Sequence, residues 1–266
     1  MIVSLLTDYG TEDDFVGICH GVLASIAPDT RVIDVTHGVP RFDVRRGAIA
    51  LHDALPYLPV GVHVAVVDPQ VGTERRGIAL RCDDGRILVG PDNGLLSLAW
   101  RTAGGVETAV DITLSPHRLE PVSATFHGRD VFAPVAAHLA AGAELADAGT
   151  PLDPDSLQVL EPLWPEQEGD TLVTRVLYVD GFGNATLNAG HGHIVGSGLT
   201  LGGTVEVTTP DGTRTATFTS TFADVPAGEL IVYEDAHRRL ALAVNRGTAV
   251  DSLGLERDTE VRLRPR

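Results

Sequence analysis

Val66-Val67-Asp68-Pro69-Gln70-Val71-Gly72-Thr73-Glu74-Arg75-Arg76 leaves one apolar run, Val62-His63-Val64-Ala65-Val66-Val67, and enters another, Gly77-Ile78-Ala79-Leu80. The first run is short and β-branched, the pattern of a buried strand, and the second reads as a strand too. Pro69 restricts one backbone torsion between them and Gly72 frees another, so the connecting loop can be tight and reproducible. Asp68 therefore stands at a strand end, with Arg75 across the same loop. Two readings follow: an ion pair that closes the loop, or a site of polar chemistry held on a rigid scaffold.

Outward from this loop, strands and helices alternate. Residues 2–6 predict a strand, followed by Thr7-Asp8-Tyr9-Gly10. Thr11 with Asp14 three residues on has the form of a capping box. Phe15, Ile18, Cys19, Val22 and Ile26 then recur at helical spacing until Pro28. Residues 31–35 predict a second strand, the loop through Phe42 follows, and residues 43–58 predict an amphipathic helix. Asp83-Asp84-Gly85 signals a hairpin, with residues 87–89 returning. A short helix is expected over residues 95–100. Thr125-Phe126-His127-Gly128-Arg129-Asp130 then reads as a loop before an alanine-rich helix at 131–141. The expected fold of residues 1–155 is an α/β domain, a central mostly parallel sheet flanked by helices.

Pro151, Pro154, Pro162 and Pro165 mark the next stretch, and residues 156–170 read as a proline-rich linker. Beyond it the period changes to short strands at 172–179, 204–208, 213–218, 230–233, 240–244 and 260–263, with turns such as Pro210-Asp211-Gly212 between them. No helix is expected there. Residues 171–266 predict an all-β small barrel.

Twenty basic against 36 acidic residues give a net charge of −16, with no basic block, so nucleic acid and anionic membrane are poor partners. Cys19 and Cys82 both lie in apolar segments; buried free thiols and a cytoplasmic setting are expected. The start of the chain lacks the basic opening of a signal peptide, and no apolar run reaches the ~20 residues of a membrane span. His191 and His193 alternate with glycine and have no acid beside them, so no metal site is expected.

If the loops at the strand ends of the first domain converge, Asp8, Phe42, Asp68, Arg75 and His127 share one site. Each has an ordinary alternative: Asp8 as a helix cap, Phe42 as core, His127 as a satisfied loop residue. Asp180-Gly181-Phe182-Gly183-Asn184 is, on spacing alone, a turn.

Thr7-Asp8-Tyr9-Gly10, Asp68 through Thr73 with Arg75, Thr125 through Asp130, and Asp180 through Asn184 occur together and in this order in the S-adenosylmethionine hydroxide adenosyltransferases, the adenosine-forming S-adenosylmethionine hydrolases. The chain resembles that family from its first strand to Leu255. The family is homologous to the fluorinase and chlorinase. The resemblance implies hydrolysis of S-adenosyl-L-methionine by attack of water at C5′, a homotrimer with active sites at subunit interfaces, and S-adenosylmethionine as substrate with no cofactor and no metal. It implies that Asp68, Arg75 and His127 form the hydrolytic triad, with His127 accepting or relaying a proton. It further implies that Asp8 holds the ribose hydroxyls and that Phe42 lines the sugar. Asp180 would meet the methionine amino group, while Phe182, Asn184 and Asn245 would contact the adenine. Gln70 stands where the family usually has glycine, and Ala236-His237-Arg238 where serine and glycine are common, which leaves Arg238 as a candidate for the methionine carboxylate. A halogenase forming 5′-halo-5′-deoxyadenosine and a non-catalytic binder of adenosine or S-adenosylmethionine are the alternatives.

Overall fold

A computed structural model describes all 266 residues, which divide into two compact units, Met1–Glu161 and Pro162–Arg266. The first unit contains strands β1 (Ile2–Thr7), β2 (Arg31–Thr36), β3 (Val62–Val66), β4 (Gly77–Cys82), β5 (Ile87–Pro91), β6 (Val106–Asp111) and β7 (Thr150–Leu152). Its helices are α1 (Phe15–Ile26), α2 (Val44–Ala54), α3 (Ser97–Thr102) and α4 (Ala133–Ala140). The sheet order is β2-β1-β3-β5-β4-β6-β7. The first four strands run parallel. The last three continue the sheet antiparallel.

Every residue of β3 and β5 is buried, as expected of strands covered on both faces. Period-2 alternation divides β3 between two cores. Val62, Val64 and Val66 pack with Cys19 and Leu23 of α1 and with α4 on one face. Ala65 and the following Val67 pack with Ala48 and Leu51 of α2 and with Ala99 of α3 on the other.

Local readings needed correction where tertiary contacts overrode a sequence signal. Asp14 takes the N-cap position of α1 without any side-chain capping bond, so the Thr11 capping box does not form. The second helix ends at Ala54, and Leu55–Tyr57 tighten into a 3₁₀ turn because Pro56 lacks an amide donor. Its start is capped as the sequence suggests, with the Asp43 carboxylate accepting from Arg46 N. β7 lies within the proline-rich stretch after the first domain's helices.

The second unit contains β8 (Glu166–Glu168), β9 (Thr171–Val179), β10 (Ala185–Gly190), β11 (Thr204–Thr209), β12 (Gly212–Thr219), β13 (Leu230–Glu234), β14 (Arg239–Val244) and β15 (Glu260–Pro265). Pairing runs β9-β10-β14-β13-β12-β11-β15 and returns to β9, closing a seven-stranded barrel with β8 added alongside β9. Leu187, Val207, Val232, Leu242 and Leu263 fill its core. Two short helices, α5 (His191–Gly196) and α6 (Ala249–Leu253), interrupt the expected all-β pattern. β8 falls inside the stretch read as linker, and β10 carried no strand signal because Asn188 and Gly190 dilute its apolar pattern.

At the centre of the first sheet Ser4 and His63 are paired across β1 and β3, with Ser4 Oγ 2.8 Å from His63 Nδ1. His63 is fully buried and its Nε2 has no hydrogen-bond partner. Burial pushes its pKa down from 6.5 to about 4. The folded protein thus refuses a proton that the unfolded chain accepts. The corresponding stability is complete above pH 6.5 and is lost as pH falls toward about 4, with a slope of at most about 1.4 kcal/mol per pH unit. Urea unfolding across this window is expected to show that slope, and the Ser4→Ala/His63→Leu double variant is expected to lack this component.

Candidate active site

β1, β2 and β3 are parallel neighbours, so the loops after them emerge at one edge of the sheet. Asp8 follows β1, Phe42 lies in the loop after β2, and Asp68 follows β3. Thr7 pairs with Val66, and Asp8 N donates to Val66 O at 3.4 Å, which holds the first and third loops side by side. Phe42 N donates to Asp8 Oδ2 at 2.8 Å, adding the second loop. Phe42 takes a left-handed backbone, φ 65°, and its ring is exposed. A bulky residue in that region is strained, and such strain concentrates at functional sites. Phe42 is therefore not core.

Arg75 reaches back across its own loop. Its Nε donates to Asp68 Oδ1 at 3.2 Å and its Nη2 to Asp68 Oδ2. The same Nη2 lies 3.1 Å from Nδ1 of His127, from the loop preceding α4. The side chains of Arg75 and Asp68 are only 2% and 5% exposed, so this is a buried ion pair rather than a surface one. Removing one partner of such a pair typically costs about 3–5 kcal/mol. The Phe132 ring, 5.4 Å from the guanidinium carbon, covers it from beneath. Phe132 closes a single π-helical turn, Gly128–Phe132, that begins immediately after His127, where a plain loop was expected.

Arginine has only donors to offer. His127 Nδ1 must therefore accept, which leaves the ring proton on Nε2 and the imidazole neutral. Burial, and then the Arg75 guanidinium, push the His127 pKa below its ordinary value, in agreement. Burial raises the pKa of the Asp8 carboxyl, against the amide of Phe42, which favours its ionised form.

These groups border a cavity of about 400 Å³ lined by Asp8, Phe42, Asp68 and His127. Tyr9, Asp13, Phe15, Arg41 and Phe126 also line it and had not been picked out. Phe15 stands at the helical spacing of the apolar positions of α1. It packs edge-on against Phe126, ring centroids 5.0 Å apart, and both meet Tyr9 at 5.8 Å. The signal that could have found them is adjacency: Tyr9 follows Asp8 and Phe126 precedes His127.

On the barrel, Asp180 Oδ1 accepts from the amides of Phe182 and Asn184 at 2.8 and 2.9 Å, and Oδ2 accepts from Asn184 Nδ2 at 2.9 Å. The turn thus presents Phe182, which is 82% exposed. Gly183 O accepts from Ala249 N at 3.0 Å, which joins this turn to the segment after β14. Asn245, in that segment, donates to Val225 O at 2.7 Å. Arg238 pairs with Glu234. His191 Nδ1 lies 2.8 Å from Glu234 while His193 Nδ1 accepts from Gly190 N, so the two imidazoles do not converge.

Residues 3–149 match the model of the SAM hydroxide adenosyltransferase N-terminal domain, and residues 174–262 match that of its C-terminal domain. The chain belongs to the SAM hydroxide adenosyltransferase family. Among its relatives in this family is a protein of Salinispora tropica named (R)-S-adenosyl-L-methionine hydrolase, 52% identical over 95% of this chain and 94% of that one. The crystal structure of an uncharacterized conserved protein from Thermotoga maritima superposes with a TM-score of 0.91 at 34% identity, over 99% of both chains. A fluorinase of Actinoplanes sp. is more distant, 29% identical over 92% of this chain and 91% of its own. The chain is thus nearer to hydroxide adenosyltransferases than to the halide branch.

The Asp68 loop is fixed from outside as well. Gly72 has φ 79°, and a Cβ there would overlap the carbonyl oxygen of Ala124, in the loop that leads to His127. Gly10 has a similar φ of 73° but open space around it. Both alanine variants should lose about 1–2 kcal/mol from backbone strain. Gly72→Ala should lose distinctly more than Gly10→Ala in urea denaturation, because a backbone carbonyl cannot rotate aside. Equal losses would show that the two loops are not in contact.

Proposed function

We propose that this protein hydrolyses S-adenosyl-L-methionine by attack of water at C5′, yielding adenosine and L-methionine. The observation that carries the reading is the guanidinium of Arg75 bonded at once to Asp68 and His127 at the wall of a cavity whose rim bears Asp8. Its close relatives named as hydrolases support it.

The sulfonium is already an excellent leaving group. What the protein must supply is a nucleophile in line with the carbon–sulfur bond, and positioning alone can lower a barrier by several kcal/mol. A water held between Asp68 and His127 donates one hydrogen to the carboxylate and accepts the Nε2–H of the imidazole. Its remaining lone pair is directed at C5′. As the new carbon–oxygen bond forms, the carbon–sulfur pair leaves with methionine and the water proton passes to Asp68 and then to solvent. With Nδ1 occupied by Arg75, His127 acts as a neutral donor in this scheme, which narrows the relay role expected from the sequence. Asp8 holds the ribose hydroxyls and Phe42 lines the sugar. Asp180, Phe182, Asn184 and Asn245 serve the methionine amino group and adenine from the barrel of a neighbouring subunit in a homotrimer. The exposed Phe42 and Phe182 rings suit such a shared site. A reducing cytoplasmic compartment suits the two buried free thiols.

A halide at the same position would face the Asp68 carboxylate. Unit like charges about 4 Å apart repel by about 4 kcal/mol at an effective dielectric near 20, and the Arg75 guanidinium bonded to the same carboxylate offsets part of this. Water meets no such penalty.

In oxygen-18 water the label should appear in the 5′-hydroxyl of adenosine; product without label would exclude attack at C5′. Asp68→Asn and His127→Ala should each lower turnover at least ~100-fold while adenosine still binds. A rate like the wild type in either would remove that residue from the chemistry. Because the pKa of His127 lies below the ordinary 6.5, any acid limb of kcat/KM due to its protonation should fall below that pH. In His127→Ala that limb should be absent.

A further inference from the structure

Away from the Asp68 centre, three side chains from separate elements converge. His20 lies on α1, Asp34 on β2, and His37 just after β2. Their candidate ligand atoms all lie within 4.8 Å of one another. His20 Nε2 is 2.8 Å from Asp34 Oδ1, and His37 Nε2 is 3.0 Å from that same oxygen. His37 is 7% exposed, yet its Nε2 has no hydrogen-bond partner. Despite the short distance, the ring is off the line that a hydrogen bond to Asp34 requires.

A buried imidazole nitrogen without a partner is costly. His20 Nε2 and Asp34 Oδ1 hydrogen-bond to each other, and an ion would take the place of the proton between them while giving His37 Nε2 the partner it lacks. In a tetrahedral zinc site, bonds of about 2.0–2.2 Å leave ligand atoms about 3.3 Å apart; two of the separations here are 2.8 and 3.0 Å and the third lies within 4.8 Å, so small side-chain shifts would admit the ion. The other nitrogen of His37 completes the pattern: Nδ1 lies 2.9 Å from Thr7 Oγ1. With Nε2 bound to a metal, the proton must sit on Nδ1 and be donated to that hydroxyl, the outer-sphere bond that fixes a liganding histidine. His20 and Asp34 are partly exposed, which leaves a path for the ion and for a water as fourth ligand.

We propose that His20 Nε2, the Asp34 carboxylate and His37 Nε2 bind a divalent first-row transition ion of the zinc class. Two imidazoles and one carboxylate suit zinc or cobalt; calcium and magnesium need six or more oxygen ligands. The expectation of no metal rested on His191 and His193. The three residues here share no local spacing and meet only through the fold. The ion would tie α1 to β2 and to the loop that precedes α2. Through Thr7 Oγ1, which also accepts from Tyr9 N at 3.2 Å, it would brace the loop carrying Asp8. The site's role is structural, and its existence does not depend on the hydrolase reading.

The test is titration of the chelator-treated full chain with Zn²⁺ by calorimetry, and with Co²⁺ by visible absorption. One ion per chain, tetrahedral cobalt bands and a rise in Tm with Zn²⁺ are expected for the wild type. His20→Ala and Asp34→Asn should each weaken Zn²⁺ at least tenfold and abolish the Tm rise. His52→Ala, on α2, should change neither. Circular dichroism checks that the variants are folded. Absence of stoichiometric binding in the wild type, or wild-type affinity in His20→Ala or Asp34→Asn, would overturn the proposal.

Discussion

A guanidinium can only donate hydrogen bonds, and Arg75 is buried where just two partners can receive them. Much else about the site follows from that. Asp68 must face inward as an acceptor, its two oxygens aligned with the fork. His127 must offer a bare Nδ1, which sets its tautomer and keeps the ring neutral. Phe132 must lie beneath, because the face of a guanidinium is weakly hydrated and is covered best by an aromatic ring. A lysine in place of Arg75 could satisfy a carboxylate, but not with the planar fork that engages an acid and an imidazole at once.

Such a contact needs loops that do not drift, and the fold supplies this in two ways. Parallel strands deliver Asp8 and Asp68 to one edge, tied by the Asp8 amide to Val66 O. Glycines then let separate loops touch: Gly72 against the Ala124 carbonyl, and Gly128 against the Tyr9 hydroxyl. At both positions a side chain would occupy the place of the neighbouring loop. The gap between the Asp68 and His127 loops is therefore set by backbone contact, which is stiffer than side-chain packing.

The strands around Asp68 were legible because β3 is a pure apolar run ended by Asp-Pro, and the site loops because each follows such a run. What was not legible depends on neighbours distant in sequence. Thr11 and Asp14 have the spacing of a capping box, but the turn before α1 runs differently and Asp14 alone takes the cap position. Phe15 has the spacing of a core residue, yet Tyr9 and Phe126 draw it into the cavity wall. Phe42 adopts a left-handed backbone that no propensity favours; its amide is held by Asp8, 34 residues away. β10 is too polar to announce itself and is a strand because β9 and β14 flank it.

The cavity's charge bears on what it can hold. Asp8, Asp13 and Asp68 line it against Arg41 and a neutral His127, and the Arg75 guanidinium bonded to Asp68 offsets part of that carboxylate's charge. Burial already works against ionisation of Asp8, and the charge of Asp68 adds to that. A neutral ligand would leave this repulsion in place, and an anion would increase it. A cation relieves it, since positive charge near the carboxylates favours their ionised forms. On the proposed reading, the carboxylates that favour a sulfonium in this cavity are the same that disfavour halide. In this view preference for substrate and preference for nucleophile arise from one set of carboxylates, with Asp68 contributing to both.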